Sequence, residues 1–439
     1  MSKTTDPELK SSFPGLWKYT GVRGRPLPNC FEWLADKRKD DNIGDLWRVH
    51  DKLYNLERFV NQHPGGADWI ILSRGTDITE AFESSHIVNY QNVEKILAKY
   101  YVKDATEKRN SPYTFKNDGF YKTLKRRVEP VLKEVGTGPS KQVKFFQDFT
   151  ALAFILTATL GAYLESIPVL IVAGLILDAC LTCAHNFFHL RDSWRRYCFD
   201  LGLNSSYEWR VSHALSHHMY PNTLLDFEVT MLEPVVVFLP NNSKNFIQRY
   251  AVFVYQHLIY FGGFYVTFLK RVINTLLGNF PFRPEILLPF AELAILIYVA
   301  PTNLSGFKSW LLVHGSCGYA FALIGLAAGH HHPVCFHDGD EARPDPDFGL
   351  CQLDATKDKT DDICENLFVI LSTFGNHPLH HLFPAICHSK LHHIKPIMEA
   401  TVKEFQEDYQ RISQLKLVVG LQEQYARNKA NAFNKGKGI

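Results

Sequence analysis

FFQDFTALAFILTATLGAYLESIPVLIVAGLILDACLTCAHNFFH, residues 145–189, contains two apolar runs, 145–163 and 167–184, parted only by Leu164-Glu165-Ser166 and followed by His185 and His189. At about 1.5 Å of helical rise per residue, each run covers roughly the 30 Å hydrocarbon core of a bilayer. The stretch therefore predicts two membrane crossings joined by a tight turn. Lys141 and Lys144 precede it, Arg191, Arg195 and Arg196 follow it, and the turn carries neither Lys nor Arg. By the positive-inside rule both open ends face the cytosol, so His185 and His189 emerge on that side.

Two more histidine clusters follow, His213/His217/His218 and His377/His380/His381. Imidazole suits iron, zinc, copper and nickel, and residues one helical turn apart share a face, so each cluster can direct two or three nitrogens to one point. Three such clusters can hold two metal ions. They must lie on one side of the membrane, which requires an even number of crossings between Leu224 and His377. Three apolar stretches are available, 250–269, 286–300 and 310–328. The first contains Gln256, His257 and four tyrosines between Arg249 and Lys270-Arg271, and is expected to be interfacial. That leaves 286–300, in spite of Pro289 and Glu292, and 310–328 as the remaining crossings. A further HxxxHH, His388 with His392 and His393, reads as a headgroup or surface element. His314, inside an apolar run, is expected to pair with a buried polar group.

The chain has 439 residues, 46% of them apolar and 13% aromatic, enough for two or three domains with a sizeable core. A net charge of +2 gives no nucleic-acid footprint. Nine scattered cysteines are an odd number and suit a reducing environment rather than a disulfide scaffold. Cys180 and Cys183 read as two positions on one helix face. The N-terminus has no apolar core of a signal peptide, so the N-terminal module is expected in the cytosol. Five regions are expected: a polar segment 1–44, a module 45–103, a linker 104–144, a membrane domain 145–425 and a basic tail 426–439. Within the linker, Phe120, Leu124, Val128, Val131, Leu132 and Val135 recur at helical spacing amid Lys122, Lys125, Arg126 and Arg127. This basic amphipathic helix can lie on the membrane or pack on the membrane domain.

In the module, Pro64-Gly65-Gly66 forces a turn after His63, and small residues there let backbone approach a flat ligand. His86 follows 23 residues later, close enough for a helical hairpin to bring it to the opposite face of that ligand. Nearby Asp77, Glu80 and Glu83 suit either docking of a basic partner or an ordinary solvated helix surface.

DKLYNLERFVNQHPGG, residues 51–66, resembles the haem-binding core of cytochrome b5, and FESSH, residues 82–86, resembles the segment carrying its second axial ligand. The three clusters resemble the histidine boxes of the membrane fatty acid desaturase and hydroxylase superfamily. HHMYPNTLLDFE, residues 217–228, and HHLFP, residues 380–384, extend the likeness to front-end desaturases, which carry a fused cytochrome b5 domain, and to the divergent cytochrome b5-related branch of insects.

The resemblance implies an α+β haem domain followed by an all-α integral membrane domain with about four transmembrane helices and a cytosolic histidine-rich cap. It implies haem b held by His63 and His86, and two non-haem iron ions held by His185, His189, His213, His217, His218, His377, His380 and His381. One further ligand is expected after the fourth crossing, where His331 of His330-His331-His332 is chosen by position. Two axial imidazoles leave no open position, so the haem would carry electrons only. Expected partners are a cytochrome b5 reductase-type donor, dioxygen, membrane lipid and a fatty acyl or lipid substrate, at the endoplasmic reticulum with a cytosolic N-terminus. Acyl desaturation is the implied reaction, with lipid hydroxylation, electron carriage beside a non-catalytic membrane domain, or a metal-binding scaffold as alternatives. The sequence departs from front-end desaturases at His377, where Gln is usual, at Asn186, where Asp is usual, and at the triple histidine before Pro333.

Overall fold

The computed structural model describes residues 10–19, 21–23, 25, 28–360 and 366–433. The N-terminal module carries a three-stranded antiparallel sheet, β1 (Trp47–Val49), β2 (Lys52–Tyr54) and β3 (Tyr101–Asp104), in the order β1-β2-β3. Its helices α2 (Ala67–Leu72), α3 (Thr79–Ser85) and α4 (Tyr90–Ala98) enclose a small core of Trp47, Val49, Tyr54, Leu56, Ile70, Phe82 and Leu97.

Part of the polar segment before the module is ordered and buried. Helix α1 (Cys30–Asp41) starts on a capping box in which Asn29 and Glu32 satisfy each other's backbone N–H groups. Trp33 is buried and donates through Nε1 to the Leu225 carbonyl oxygen at 3.0 Å. Val22, Trp33 and Leu34 share a core with Val211 and Phe227, beside the second histidine cluster. The charged run from Lys37 to Asp41 hides this helix in the sequence, yet Lys37 and Asp41 form a buried pair one turn apart.

Helix α5 (Phe120–Val135) settles the two readings of the amphipathic stretch in favour of packing. Phe120, Leu124, Val128 and Leu132 are buried in one core with Leu391, Ile394 and Met398 of the helix His388–Glu404.

Among the described residues, four helices are long and apolar enough to cross a membrane: α6 (Lys141–Tyr163), α7 (Ile167–His189), Ile247–Leu276 and Asn303–Leu326. On α6, Phe145, Phe149, Leu152, Leu156 and Leu160 form one outward face, as a lipid-facing helix requires. The close approach of α7 to the helix Asn303–Leu326 depends on Gly174, where a Cβ would lie 2.6 Å from the Val313 carbonyl oxygen.

The expected third crossing is corrected. Residues 286–300 yield an α-helix of only 12 residues, Leu288–Val299, about 18 Å long and too short to span. Ile247–Leu276, expected at the interface, runs 30 residues. Its tyrosines fooled the polarity argument because they find partners inside the protein: Tyr260 donates to Gln256 and Tyr265 to the Leu311 carbonyl. The even number of crossings between the second and third clusters survives the exchange. His314 pairs with Glu292 at 3.1 Å, both buried. The eight cysteines among the described residues are free and buried.

Candidate metal centre

The last turn of α7 places His185 and His189 on one face. His213 and His217 lie on a π-helical segment, Arg210–His217, with His218 directly after it. In an α-helix His218 would sit about 140° round from His213. The wider turn, closed by the His218 N–H donating to the His213 carbonyl at 2.8 Å, returns it toward the same face. The short helix His377–Leu382 supplies His377, His380 and His381. His330 comes from the turn after the fourth span. There Gly329 has φ +138° and a Cβ would meet the Lys357 carbonyl oxygen at 2.2 Å, so only glycine makes this turn.

These rings form two groups. His185, His189, His213, His218 and His380 bring ligand atoms within 4.8 Å of one another, and His217, His330 and His381 do the same. His377 joins the second group, its Nε2 2.6 Å from that of His330. All nine are buried.

The donor set fits metal. His185 Nε2 lies 2.9 Å from His213 Nε2, 3.1 Å from His189 Nε2 and 3.4 Å from His380 Nε2. One nitrogen cannot donate protons to three others, whereas metal–nitrogen bonds of about 2 Å place neighbouring ligands roughly 2.8–3.3 Å apart. Several Nδ1 atoms point outward to acceptors: His213 to Glu228 at 2.9 Å, His217 to Asp226 at 2.8 Å, His330 to the Ala355 carbonyl at 3.1 Å and His381 to Gln352 at 3.2 Å. That arrangement leaves Nε2 with the lone pair a cation needs. Burial pushes His218, His330, His377, His380 and His381 well below the usual imidazole range, which favours the uncharged form that binds metal. At His217 burial acts in the same direction, but the Asp226 and Glu228 carboxylates outweigh it and carry the ring up to about 9.

In the N-terminal module, His63 and His86 oppose each other with ring centres 6.2 Å apart. A cation bound to both through bonds of about 2 Å would give a separation of about 6 Å. His63 Nδ1 contacts the Gly66 carbonyl at 3.0 Å and His86 Nδ1 the Phe82 carbonyl at 2.9 Å, so both Nε2 atoms are available. Burial lowers both rings, His86 to about 4.

Two family profiles match the chain: a cytochrome b5-like heme/steroid binding domain over residues 31–106 and a fatty acid desaturase over 164–413. The cytochrome b5-related protein of Drosophila melanogaster is 36% identical over 434 residues, covering 96% of this chain and 99% of that one. The chain belongs to the cytochrome b5-related branch of the cytochrome b5-fused fatty acid desaturases. Acyl-lipid (8-3)-desaturase B of Dictyostelium discoideum is 25% identical over 84% of this chain and 88% of its own, and Delta(5) fatty acid desaturase A of the same organism 24% over 86% and 89%. No solved structure matches.

This family member is thus a multi-pass membrane protein with a haem-type module fused to a desaturase-type, iron-type domain. Its histidine centre corrects one sequence expectation. His330, not His331, enters the second group. His331 instead stacks on Phe238 with ring centres 4.0 Å apart and lies 5.9 Å from the His337 ring. The reversal at Gly329 decides which neighbour points inward, and the order of three identical residues carries no trace of it. His377, the departure from the usual Gln, sits among the clustered nitrogens.

The acidic residues of the haem-type module are also reassigned. Asp77, Glu80 and Glu83 are all buried. Arg109 holds Asp77 and Glu80, while Lys122 and Lys125 of α5 hold Glu83, so none of them presents a docking face or a solvated helix surface. A second seam ties the His63 loop to the cap. Asp68 accepts from Arg196 and Arg210, Asp192 accepts from the same two arginines, and Arg210 stacks over Trp69 at 4.6 Å.

Proposed function

We propose that the protein is a haem-fed, oxygen-dependent fatty acyl desaturase of the endoplasmic reticulum membrane, with its N-terminus and histidine cap in the cytosol. The observation that carries this reading is the convergence of nine buried Nε2 atoms into two groups, with Asp226, Glu228, Gln352 and the Ala355 carbonyl oriented behind them. A passive anchor has no need of such an arrangement.

His185, His189, His213, His218 and His380 would hold one iron ion, and His217, His330, His377 and His381 the other. Together the two ions would supply oxygen-dependent attack on an unactivated acyl C–H bond. His63 and His86 would hold haem b, which supplies one-electron transfer from a cytochrome b5 reductase-type donor using reduced nicotinamide. Two electrons from the donor, two protons from solvent and two hydrogen atoms from the acyl chain would together reduce one dioxygen to two waters. The protein's own part is positional. Asp226 and Glu228 fix His213 and His217, Gln352 fixes His381, and the Gly329 turn aims His330. Burial of all nine rings keeps bulk water from the reacting centre. The Lys and Arg residues flanking the first two spans support the cytosolic orientation.

The test is reconstitution of the purified full-length protein with haem, iron, a reductase and reduced nicotinamide, then mass spectrometry of a mixed acyl-CoA and phospholipid pool. The expected product is two mass units lighter and absent when His217 and His218 are replaced by Ala. A gain of sixteen mass units makes the enzyme a hydroxylase. Absence of any product from protein carrying haem and two irons moves the assignment to a membrane-tethered electron carrier.

A further inference from the structure

The late HxxxHH motif divides. His392 and His393 face solvent, whereas His388, the first residue of the helix His388–Glu404, is 3% exposed. Its ring centre lies 4.4 Å from that of His380 and 6.1 Å from that of His185, which sets it at the margin of the first histidine group, outside the five whose ligand atoms lie within 4.8 Å of one another.

Its tautomer is fixed by Asn186, which stands between His185 and His189 on α7. The His388 backbone N–H donates to Asn186 Oδ1 at 3.1 Å, and His388 Nδ1 lies 3.0 Å from the same atom. A backbone N–H can only donate, so the atom it meets is the amide oxygen. Asn186 Nδ2 points the other way, toward Cys387 Sγ at 3.5 Å. Nδ1 of His388 therefore carries the proton and Nε2 the lone pair. Among the described residues no hydrogen bond reaches Nε2. Asn186 thus stands behind His388 as Asp226 stands behind His217, which is the outer-sphere pattern of a metal-binding histidine.

We propose that His388 is a tenth imidazole of the histidine centre and a ligand available to the metal ion of the first group, held in its binding tautomer by Asn186. The proposal rests on the reading of that group as an iron site. It gives a defined role to Asn186, at a position where the family usually has Asp. The amide is a neutral acceptor that orients one added ligand and pins the helix His388–Glu404 to α7.

The test uses iron-loaded, full-length protein in detergent and reads iron content, its retention against a chelator, and the Mössbauer spectrum, with no turnover involved. His388→Gly is expected to alter the signal of one of the two irons and weaken iron retention about tenfold or more, the scale for disturbing an iron-orienting group. Imidazole added to the buffer should restore both readouts. Pyrrole, which has the same ring size and no free nitrogen lone pair, should not. Asn186→Leu, which keeps His388 but removes its acceptor, should shift the same iron signal and serves if the glycine variant does not fold. Unchanged spectra and retention in both variants, or equal rescue by pyrrole, overturn the ligand. Wild-type protein that retains no iron overturns the iron reading as well, so the two failures are distinguishable.

Discussion

The proposed haem slot and the histidine centre both gather imidazoles with free Nε2 atoms, at opposite extremes of enclosure. The slot uses two rings 23 residues apart in one small module, and His63 and His86 are each only partly covered by protein. The centre uses nine rings spread from His185 to His381 on four separate elements, all buried. An electron carrier needs an accessible edge where a partner can reach it. A site that attacks C–H bonds needs exclusion of water and many fixed nitrogens. On the proposed reading, enclosure more than ligand type separates the two kinds of chemistry.

The contrast is broken most severely by emptying one site and leaving the other intact. His330→Ala should abolish product and remove iron from the second group while leaving the haem absorption unchanged, whereas His331→Ala should leave iron content near wild type. Metal analysis of the pair decides between neighbours that the sequence cannot rank. In the opposite direction, His63→Ala or His86→Ala should abolish haem binding in absorption spectra and stop turnover driven through the fused module, with both irons retained.

A milder effect is expected behind the ligands. Asp226→Asn removes the carboxylate that orients His217 and should cost about 10–100-fold in metal affinity, measured by chelator competition. The effect that touches neither metal site concerns docking of the module. Glu83 is fully buried; burial opposes its charge, but His50, Lys125 and Lys122 hold it far below the ordinary carboxylate value of 4.5. A depressed folded-state value means that its contribution is fully present above about pH 4.5 and is lost as pH falls below it. Glu83→Gln should lower stability by about 3–5 kcal/mol at neutral pH, since it leaves two lysines facing a neutral group. It should also flatten the acid limb of the unfolding curve followed by circular dichroism.

Much of this was legible in the sequence because it is local. Residues 145–189 encode a hairpin in which length, charge and turn agree, and His63-Pro64-Gly65-Gly66 encodes a turn beside a ligand. Where the sequence misled, the answer lay in distant partners. The long third span looked interfacial because nothing in residues 250–269 reveals that Tyr265 bonds the Leu311 carbonyl. Helix α1 looked like a polar leader because Trp33 finds Leu225 almost two hundred positions away. His388 looked peripheral because its acceptor, Asn186, belongs to the first cluster.

The burial of Glu83 against Lys122 and Lys125 also bears on how such fusions can be rebuilt. Excising the haem module at the end of β3 would strand those two lysines on α5, and a transplanted module would have to supply a carboxylate placed as Glu83 is. The module is therefore not an exchangeable cassette. A working chimera has to carry α1, the module and α5 together, and grafts cut between them should express as poorly folded protein even when each half is sound in its parent.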